Sequence, residues 1–237
     1  LLAQEHLLLP ADRPAASRAW RHEGAGLVLG PCGGEGPADR RRATGGAGIA
    51  AAPTAGFEPL DLPVPDDAWR HRVCFAVRRT GTPTGGPVYL ASVYGEVGGT
   101  QSLATLARTS DLVRWVVTRL QSHGGDWALG LDANADPDSL GPLVYLRDRG
   151  EACHVGALGG GAGTPSYVAA GSSSRIDSVW CRAGLARHWA RTDVIPVTPS
   201  RHCDTRVVPA QSHTAVRARW VGPRILPLRR RDCRHVG

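Results

Sequence analysis

Residues 127–134 read Trp-Ala-Leu-Gly-Leu-Asp-Ala-Asn, an apolar run that ends in a carboxylate and an amide. The apolar part, Trp127–Leu131, predicts a short strand. In an extended chain, alternation would put the side chains of Asp132 and Asn134 on the same side. An alternative stays open, because Asp136-Pro137-Asp138 follows and such a segment is typical of an Asx-rich turn.

Three other segments carry related groups at or beside predicted strands. Ser174-Arg175-Ile176-Asp177 leads into a predicted strand over residues 176–180, and Ser212-His213 precedes a cleanly alternating strand over residues 214–220. Gln4-Glu5 lies far upstream of both. Carboxylates, an amide and an imidazole at strand ends are the groups that metal-assisted cleavage of a phosphate ester requires. Phosphodiester hydrolysis is therefore the leading hypothesis.

The composition indicates a globular chain of one large domain or two small ones. The chain has 237 residues, of which 42% are hydrophobic, so it can bury a sizeable core. We expect no membrane partner, because no apolar run approaches the roughly 18–20 residues of a membrane helix. A signal peptide is not indicated either, since Gln4, Glu5 and His6 interrupt the first apolar residues. The chain contains no Met and begins in strand-like Leu1-Leu2-Ala3, so we expect it to be a fragment of a longer product.

The charge balance favours a polyanionic partner. The net charge is +7 and the 28 basic residues are all Arg, some in the runs Arg40-Arg41-Arg42 and Arg229-Arg230-Arg231. Abundant Ala, Gly, Pro and Arg indicate GC-rich coding, but a guanidinium fork matches phosphate oxygens whatever its origin. Nucleic acid is the partner that such a surface suits.

The six cysteines do not predict a metal or redox site. They lie at positions 32, 74, 153, 181, 203 and 233, and no pair has Cys-x-x-Cys spacing. Cys153-His154 and His202-Cys203 are at most half-sites for a metal. Scattered reduced thiols are the favoured interpretation, and they suit an intracellular protein.

Periodicity predicts a layered α/β or α+β domain of short strands and a few helices. We expect helices over Ala15–His22 and from a Ser110 cap to about Gly124, and strands over Gly48–Ala52, Val73–Val77 and Val88–Tyr94. The last two strands are expected to form a hairpin.

Seven short motifs occur in one order from residue 1 to about residue 220. They are Ala3-Gln4-Glu5-His6, residues 45–50 (Gly-Gly-Ala-Gly-Ile-Ala), Ser92-Val93-Tyr94-Gly95, Leu131-Asp132-Ala133-Asn134, residues 164–167 (Thr-Pro-Ser-Tyr), Ser174-Arg175-Ile176-Asp177 and Ser212-His213. In this order they resemble the endonuclease/exonuclease/phosphatase superfamily, which includes deoxyribonuclease I and the abasic-site endonucleases. They are most similar to the endonuclease domains of LINE-type (non-LTR) retrotransposons.

The resemblance implies an α+β fold, a four-layer sandwich of two packed mixed sheets flanked by helices. The site would lie between the sheets. We expect this domain over residues 1–222, followed by a basic tail or linker over residues 223–237.

The resemblance also implies Mg²⁺ or Mn²⁺ and a role for each matching residue. Glu5 would bind the metal through hard carboxylate oxygens. Asp132 would position or deprotonate the attacking water, and Asn134 would hold a phosphate oxygen. Tyr94 would contact the scissile phosphate, although a core aromatic in a strand is an equal alternative.

The remaining assignments concern the last two motifs. Arg175 would bind substrate, and Asp177 would orient the catalytic imidazole. His213 would stabilise the pentacovalent phosphate and neutralise the developing charge. Thr164 would mainly open a strand.

The sequence departs from the family pattern in three places. Leu131 stands where the family has Gly, and Ser212 stands where it has a metal-binding Asp. Losing such a group typically weakens metal binding or activity about 10–100-fold. The family's first strand, which ends in a metal-binding Asn, precedes the Glu, so we expect it to be missing from this fragment.

The sequence thus favours a metal-dependent phosphodiesterase, a DNA endonuclease derived from a retrotransposon. One alternative is a catalytically decayed relative that binds nucleic acid through Arg. Another is a superfamily phosphatase acting on inositol phosphates, sphingomyelin or RNA tails, because fold resemblance does not fix the substrate. We expect DNA rather than RNA as partner, a monomeric domain within a larger polyprotein that includes a reverse transcriptase, and a nuclear rather than cytoplasmic location.

Overall fold

The computed structural model describes residues 2–4, 13–22, 24–31, 45–51, 55–79, 85–155, 167–169, 172–187, 189–195, 211–213 and 215–220. Only the backbone course is described at residues 2–4, 167–169, 172–174, 189–195, 211–213 and 215–220. Glu5, Thr164, residues 32–44 and the predicted tail over residues 223–237 lie outside these ranges. The boundary between domain and tail stays a prediction.

Fourteen strands and four helices make up the described part of the chain. The strands are β1 (Leu2–Gln4), β2 (Gly26–Leu29), β3 (Ala47–Ala51), β4 (Glu58–Pro59), β5 (Val73–Arg78), β6 (Val88–Tyr94), β7 (Asp126–Asp132), β8 (Ala152–His154), β9 (Tyr167–Ala169), β10 (Ser172–Ser174), β11 (Asp177–Arg182), β12 (Trp189–Ile195), β13 (Gln211–His213) and β14 (Ala215–Trp220). The helices are α1 (Arg13–His22), α2 (Leu103–Ser122), α3 (Gly141–Asp148) and α4 (Ala183–Ala186). None of these helices is long and apolar enough to cross a membrane.

A mixed six-stranded sheet, in the order β4-β5-β6-β7-β11-β8, forms the centre of the molecule. β6 and β7 are parallel, and the other neighbours are antiparallel. The predicted pairing of β5 with β6 is confirmed, with Val73 opposite Val93. Both strands are rich in β-branched and aromatic residues, which suit a pleated, buried surface.

Helix α2 covers one face of this sheet. Its apolar stripe packs against residues that alternate along the strands, so every second strand residue contributes to one core. The residues of this core from α2, β6 and β7 are Leu112, Val113, Val116, Val117, Leu120, Tyr89, Ala91, Val93, Trp127, Leu129 and Leu131.

The predicted start of α2 is wrong, whereas its predicted end is close to the observed one. The helix begins at Leu103 with Ser102 as its cap, and the Ser102 hydroxyl accepts a hydrogen bond from Thr105 N at 3.4 Å. Ser110 lies inside the helix. The sequence pattern conceals the true start, because the fully buried apolar residues of the helix begin only at Leu112 while Leu103 in the first turn is 85% exposed. Gly124, with φ of +73°, follows the helix end as a left-handed residue.

A second sheet, in the order β1-β3-β2, packs on the opposite face. Ala47 and Ile49 of β3 contact Cys74 and Ala76 of β5, and β1 lies against β6 and β7. Helix α1 contacts β2 on this second sheet. Packed sheets with helices against them form the predicted α+β sandwich, which is confirmed.

Backbone pairing alone defines two further small sheets. One has the order β10-β9-β13, with Tyr167 opposite both Ser174 and His213. The other pairs β12 with β14, and β14 lies near β11. The topology therefore brings β13, which carries Ser212 and His213, to the sheet whose strand β10 runs into the start of β11.

Candidate active site

Three predicted site residues lie in one row across the central sheet. Tyr94 ends β6 directly opposite Asp132 at the end of β7, and Asp132 lies opposite Asp177 at the start of β11. Opposite residues on paired strands project from the same face, with Cβ atoms about 4.5–5.5 Å apart in an antiparallel pair. In β7, Leu129 and Leu131 belong to the core under α2. Asp132, and with it Tyr94 and Asp177 on the paired strands, therefore belongs to the opposite face, towards the second sheet. These three residues therefore lie on the face between the two packed sheets, which is where the resemblance would put the site.

Asp132 and Asn134 form a turn rather than an extended segment. Asp132 is only 4% exposed, and its Oδ1 accepts a hydrogen bond from Asn134 N at 3.1 Å. This hydrogen bond competes with the extended conformation and favours a turn of the chain after Asp132. Asn134 adopts φ of +48°, a left-handed conformation that Asn tolerates well. The predicted alternation across an extended Asp132–Asn134 is wrong for this reason. The two groups are neighbours because an Asx turn joins them.

The Asn134 side chain is fixed from the other side by Gly95. Its Nδ2 donates to Gly95 O at 3.3 Å and keeps a second hydrogen, the kind of donor a phosphate oxygen needs. Gly95 N in turn donates to Asp132 O at 2.7 Å. A Cβ at position 95 would lie 2.6 Å from Ala133 O, so only glycine permits this approach of the two backbones.

Tyr94 is a buried aromatic that borders the candidate site. It is 5% exposed, and the Arg72 guanidinium carbon lies 5.4 Å from its ring centroid. On another side, a Cβ added at Gly45 would lie 3.7 Å from Tyr94 Cδ1 and 3.1 Å from His71 O. The ring is thus enclosed between Arg72 and the glycine pair that precedes β3, as expected of a core aromatic, and contact of Tyr94 with a phosphate stays a prediction.

Arg72 and Glu96 were not singled out by the sequence reasoning, although they surround this row. Arg72 NH1 donates to Gly95 O at 2.8 Å, and its NH2 donates to Glu96 Oε2 at 2.9 Å. This ion pair is largely buried, with side chains 14% and 20% exposed. The sequence features that could have indicated them are an Arg directly before the strand β5 and a Glu two residues after Tyr94.

His71 lies beside this pair as a neutral imidazole. Burial lowers the pKa of His71, the Arg72 charge lowers it further, and Glu96 partly opposes both. The His71 carbonyl accepts from Gly46 N at 2.7 Å, which ties the approach to β3 against the start of β5.

Arg175 joins the segment before β11 to the loop after Asn134. Its NH2 donates to Asp136 Oδ1 at 2.9 Å and to Asp138 Oδ2, and Arg147 NH1 reaches Asp138 Oδ1 at 2.6 Å. Burial works to raise the pKa of Asp138, but the hydrogen bond and charge of Arg175, together with the charges of Arg147 and His154, outweigh it, so the pKa is lowered. Substrate binding by Arg175 stays a prediction, because these contacts are to carboxylates of the protein.

His154 is a buried aromatic neighbour of that network. Its ring stacks on Trp180 with centroids 5.0 Å apart, and burial, followed by the charge of Arg175, lowers its pKa. Cys153, which precedes His154, is a free thiol. Cys74 lies elsewhere, in β5, and burial raises the pKa of its thiol to about 12. In the part of the chain whose side chains are described, no three His, Cys, Asp or Glu residues cluster to hold a metal ion.

The side chains of the other predicted site residues, Glu5 and His213, are not described. Glu5 lies outside the described residues, and β1 ends just before it with Gln4 opposite Ala47. His213 is in β13, in register with Tyr167 and, across β9, with Ser174. The expected hydrogen bond between Asp177 and His213 stays a prediction.

Comparison with solved structures identifies the fold. An AP endonuclease from Archaeoglobus fulgidus matches with a TM-score of 0.63 and 12% identity, covering 93% of this chain and 88% of that one. A 3′-5′ exonuclease from Neisseria meningitidis matches with a TM-score of 0.59 and 20% identity over the same shares. A related Neisseria structure, described as a 3′ phosphatase bound to product DNA hairpin, has a TM-score of 0.57 and 18% identity, again covering 93% and 88%.

A retrotransposon protein is also among the matches. The endonuclease domain of TRAS1, a telomere-specific non-LTR retrotransposon, has a TM-score of 0.50 and 14% identity, covering 87% of this chain and 90% of that domain. No protein-family model and no curated protein sequence matches the chain. At these identities the likeness concerns the fold, and the chain has the fold of the endonuclease/exonuclease/phosphatase superfamily.

Proposed function

We propose that the chain is a metal-dependent phosphodiesterase, a DNA endonuclease of retrotransposon origin. The observation that carries the proposal is the row of Tyr94, Asp132 and Asp177 on the inner face of the central sheet, with Asn134 held beside it. A buried carboxylate, an oriented amide and a phenol at one sheet edge suit a phosphate that must be bound and attacked by water.

In this proposal Asp132 takes the proton of the attacking water. One of its oxygens is fixed by Asn134 N, so the carboxylate is held in a single orientation. Asn134 Nδ2 donates its second hydrogen to a phosphate oxygen, where it stabilises the negative charge that develops during attack. Tyr94 borders the phosphate, and Asp177 orients the His213 imidazole to neutralise the leaving oxygen.

The donor chemistry of this region fits Mg²⁺ or Mn²⁺. These hard cations bind through one or two carboxylates and complete their shells with water and substrate phosphate oxygens. Glu5 would hold the ion, which when bound would neutralise charge on the phosphate. The thiols and His154 do not compete for that role, because softer ligands suit other metals.

Charge and likeness favour DNA as the substrate. The net charge of +7, carried by Arg alone, suits a phosphate backbone. A matching Neisseria structure holds a DNA hairpin, and the TRAS1 domain is an endonuclease. We extend the proposal to a nuclear location and to a larger polyprotein that carries a reverse transcriptase.

Ser212 favours a second candidate function, a decayed nucleic-acid-binding domain. A hydroxyl replaces a metal-binding carboxylate of the family pattern, so the metal would bind weakly. A phosphatase acting on inositol phosphate or sphingomyelin is the third candidate, and the basic balance argues against it.

Nicking of supercoiled DNA separates these candidates. The chain is incubated with Mg²⁺ or Mn²⁺, with and without excess chelator, and in parallel with an inositol phosphate. Metal-dependent nicking supports the endonuclease. DNA binding that weakens with salt, without nicking, supports the decayed domain. Release of inorganic phosphate without nicking would overturn the nucleic-acid assignment.

A further inference from the structure

Arg72 contacts several parts of the candidate site at once. It directly precedes β5, yet its guanidinium reaches past the end of β6, where NH1 donates to Gly95 O at 2.8 Å and approaches Tyr94 O at 3.4 Å. The backbone adds a return contact, since Tyr94 N donates to Arg72 O at 2.8 Å. One residue therefore fixes the point where β6 leaves the sheet.

The contacts continue from Arg72 to Asn134 through a shared acceptor. Gly95 O accepts from both Arg72 NH1 and Asn134 Nδ2, so a single carbonyl links the guanidinium to the amide. Two donors on one carbonyl are compatible, because the oxygen has two lone pairs. The orientation of the Asn134 amide thus depends on where Arg72 holds Gly95.

Glu96 fixes the guanidinium itself. Its Oε2 accepts from Arg72 NH2 at 2.9 Å, and its backbone N donates to Thr109 Oγ1 on α2 at 2.9 Å. The pair is largely buried, and a charge-assisted hydrogen bond there is stronger than an exposed one. Arg72 is therefore anchored through Glu96 to the helix that covers the other face of the sheet.

The geometry points to Arg72 as a positioning residue that sets the orientation of Tyr94 and, through Gly95 O, of the Asn134 amide. The catalytic meaning of this inference rests on the proposed phosphodiesterase activity. Its structural content does not, because it predicts that the Asn134 amide changes whenever the guanidinium is removed. Lysine is a poor substitute at position 72, because an ammonium lacks the planar fork that reaches Gly95 and Glu96 together.

The chain offers an unusually direct probe, because Asn134 is its single asparagine. Selective ¹⁵N labelling of asparagine gives one side-chain NH₂ pair and one backbone amide. The NH₂ pair reports the bond to Gly95 O, and the backbone amide reports the bond to Asp132 Oδ1. Hydrogen exchange and chemical shifts are compared in Arg72→Met, Arg72→Lys, Glu96→Gln and the unchanged chain.

We expect exchange of the Asn134 NH₂ group to accelerate at least about fivefold in Arg72→Met, the factor that matches loss of one hydrogen bond. Glu96→Gln should give a smaller increase of about two- to threefold, because the bond to Gly95 O remains. Arg72→Lys should lie between the two. The control is Arg114→Met, which removes an exposed ion pair with Asp111 on α2 and should leave both Asn134 signals unchanged.

Unchanged Asn134 signals in folded Arg72→Met would overturn the inference. Should that variant not fold, Glu96→Gln and Arg72→Lys carry the test, and unchanged signals in both have the same meaning. The proposed function fails separately, if the unchanged chain cleaves no phosphodiester while the Asn134 signals still depend on Arg72. Where nicking is measurable, a positioning role predicts that Arg72→Met lowers kcat more than it raises KM.

Discussion

The two faces of the central sheet are built from the same strands yet serve different purposes. On the α2 side, β6 and β7 contribute Tyr89, Val93, Leu129 and Leu131 to a continuous apolar core. On the side of the second sheet the same strands end in Tyr94 and Asp132. Because side chains alternate with a period of two, one residue along the strand is the difference between core and site. If the proposed function holds, stability and chemistry are separated within a few ångströms, and variants on the two faces should have opposite signatures.

The largest expected effect is on the site face, with Asp132→Ala. In the proposed function Asp132 activates the attacking water, so its loss should reduce metal-dependent nicking about 10²–10⁴-fold, the usual contribution of general acid–base catalysis. The free energy of unfolding should change by about 1–2 kcal/mol, the usual scale for losing a hydrogen bond such as the one to Asn134 N. Nicking assays and urea unfolding check the two values. Nicking that is indifferent to this substitution would mean that the site lies elsewhere.

The matching change on the core face is Leu129→Ala. Leu129 is fully buried beneath α2, so the cavity should lower the free energy of unfolding by about 2–5 kcal/mol. Any activity of the folded fraction should stay close to that of the unchanged chain. Urea unfolding with nicking assayed well below the transition makes this comparison. A Leu129→Ala protein that is stable but inactive would contradict the separation of the two faces.

Restoring a carboxylate at position 212, in the last motif, should raise the activity that depends on the site face. Ser212→Asp should raise metal-dependent nicking by about tenfold or more, if the usual effect of losing such a ligand applies in reverse. The gain should disappear when Asp132→Ala is added. Ser212→Asn, which adds an amide of similar size without the charge, is the matched control. DNA binding should persist in all three variants and weaken with salt, because it depends on Arg–phosphate contacts.

The smallest expected effect concerns pH and the core-side residue His154. Its pKa in the folded chain is lowered from 6.5, first by burial and then by the charge of Arg175, with Arg147 adding to this and Asp138 and Asp136 opposing it. The contribution to stability is therefore complete above pH 6.5 and is lost as the pH falls through the lowered value. The pKa of His71 is lowered as well, so His71 also contributes to the loss of stability at acid pH. His154→Phe should therefore remove only part of that loss.

Urea unfolding at a series of pH values from 7.5 to about 5 tests this expectation. Phenylalanine keeps an aromatic partner for Trp180, so the variant and the unchanged chain should differ mainly in slope. Asp138 also has a lowered pKa, but its loss of stability begins below about 3.8, outside this window. Identical slopes in the two proteins would contradict a buried neutral His154.

Local patterns predicted the elements with strong periodicity and failed where a contact decides the boundary. The strands ending in Tyr94 and Asp132 could be read directly, because apolar alternation stops at a polar residue in each. The start of α2 at Leu103 could not, since Ser102 caps it through a hydroxyl contact and Leu103 itself is exposed to solvent. Similarly, the turn at Asn134 depends on a bond to Asp132 that competes with the extended chain.

The sequence by itself determined the order of the motifs, the alternation of the strands and the departure at Ser212, because these are properties of residue type and spacing. Only the tertiary structure decided which residues meet. Parallel pairing of β6 with β7 and antiparallel pairing of β11 put Tyr94, Asp132 and Asp177 in one row, although they are separated by up to 83 positions in the chain. The Arg72–Glu96 pair and the Arg175 contacts also depend on that folding. Such long-range pairs leave no periodic trace, since their geometry arises from sheet register and close packing rather than from local sequence.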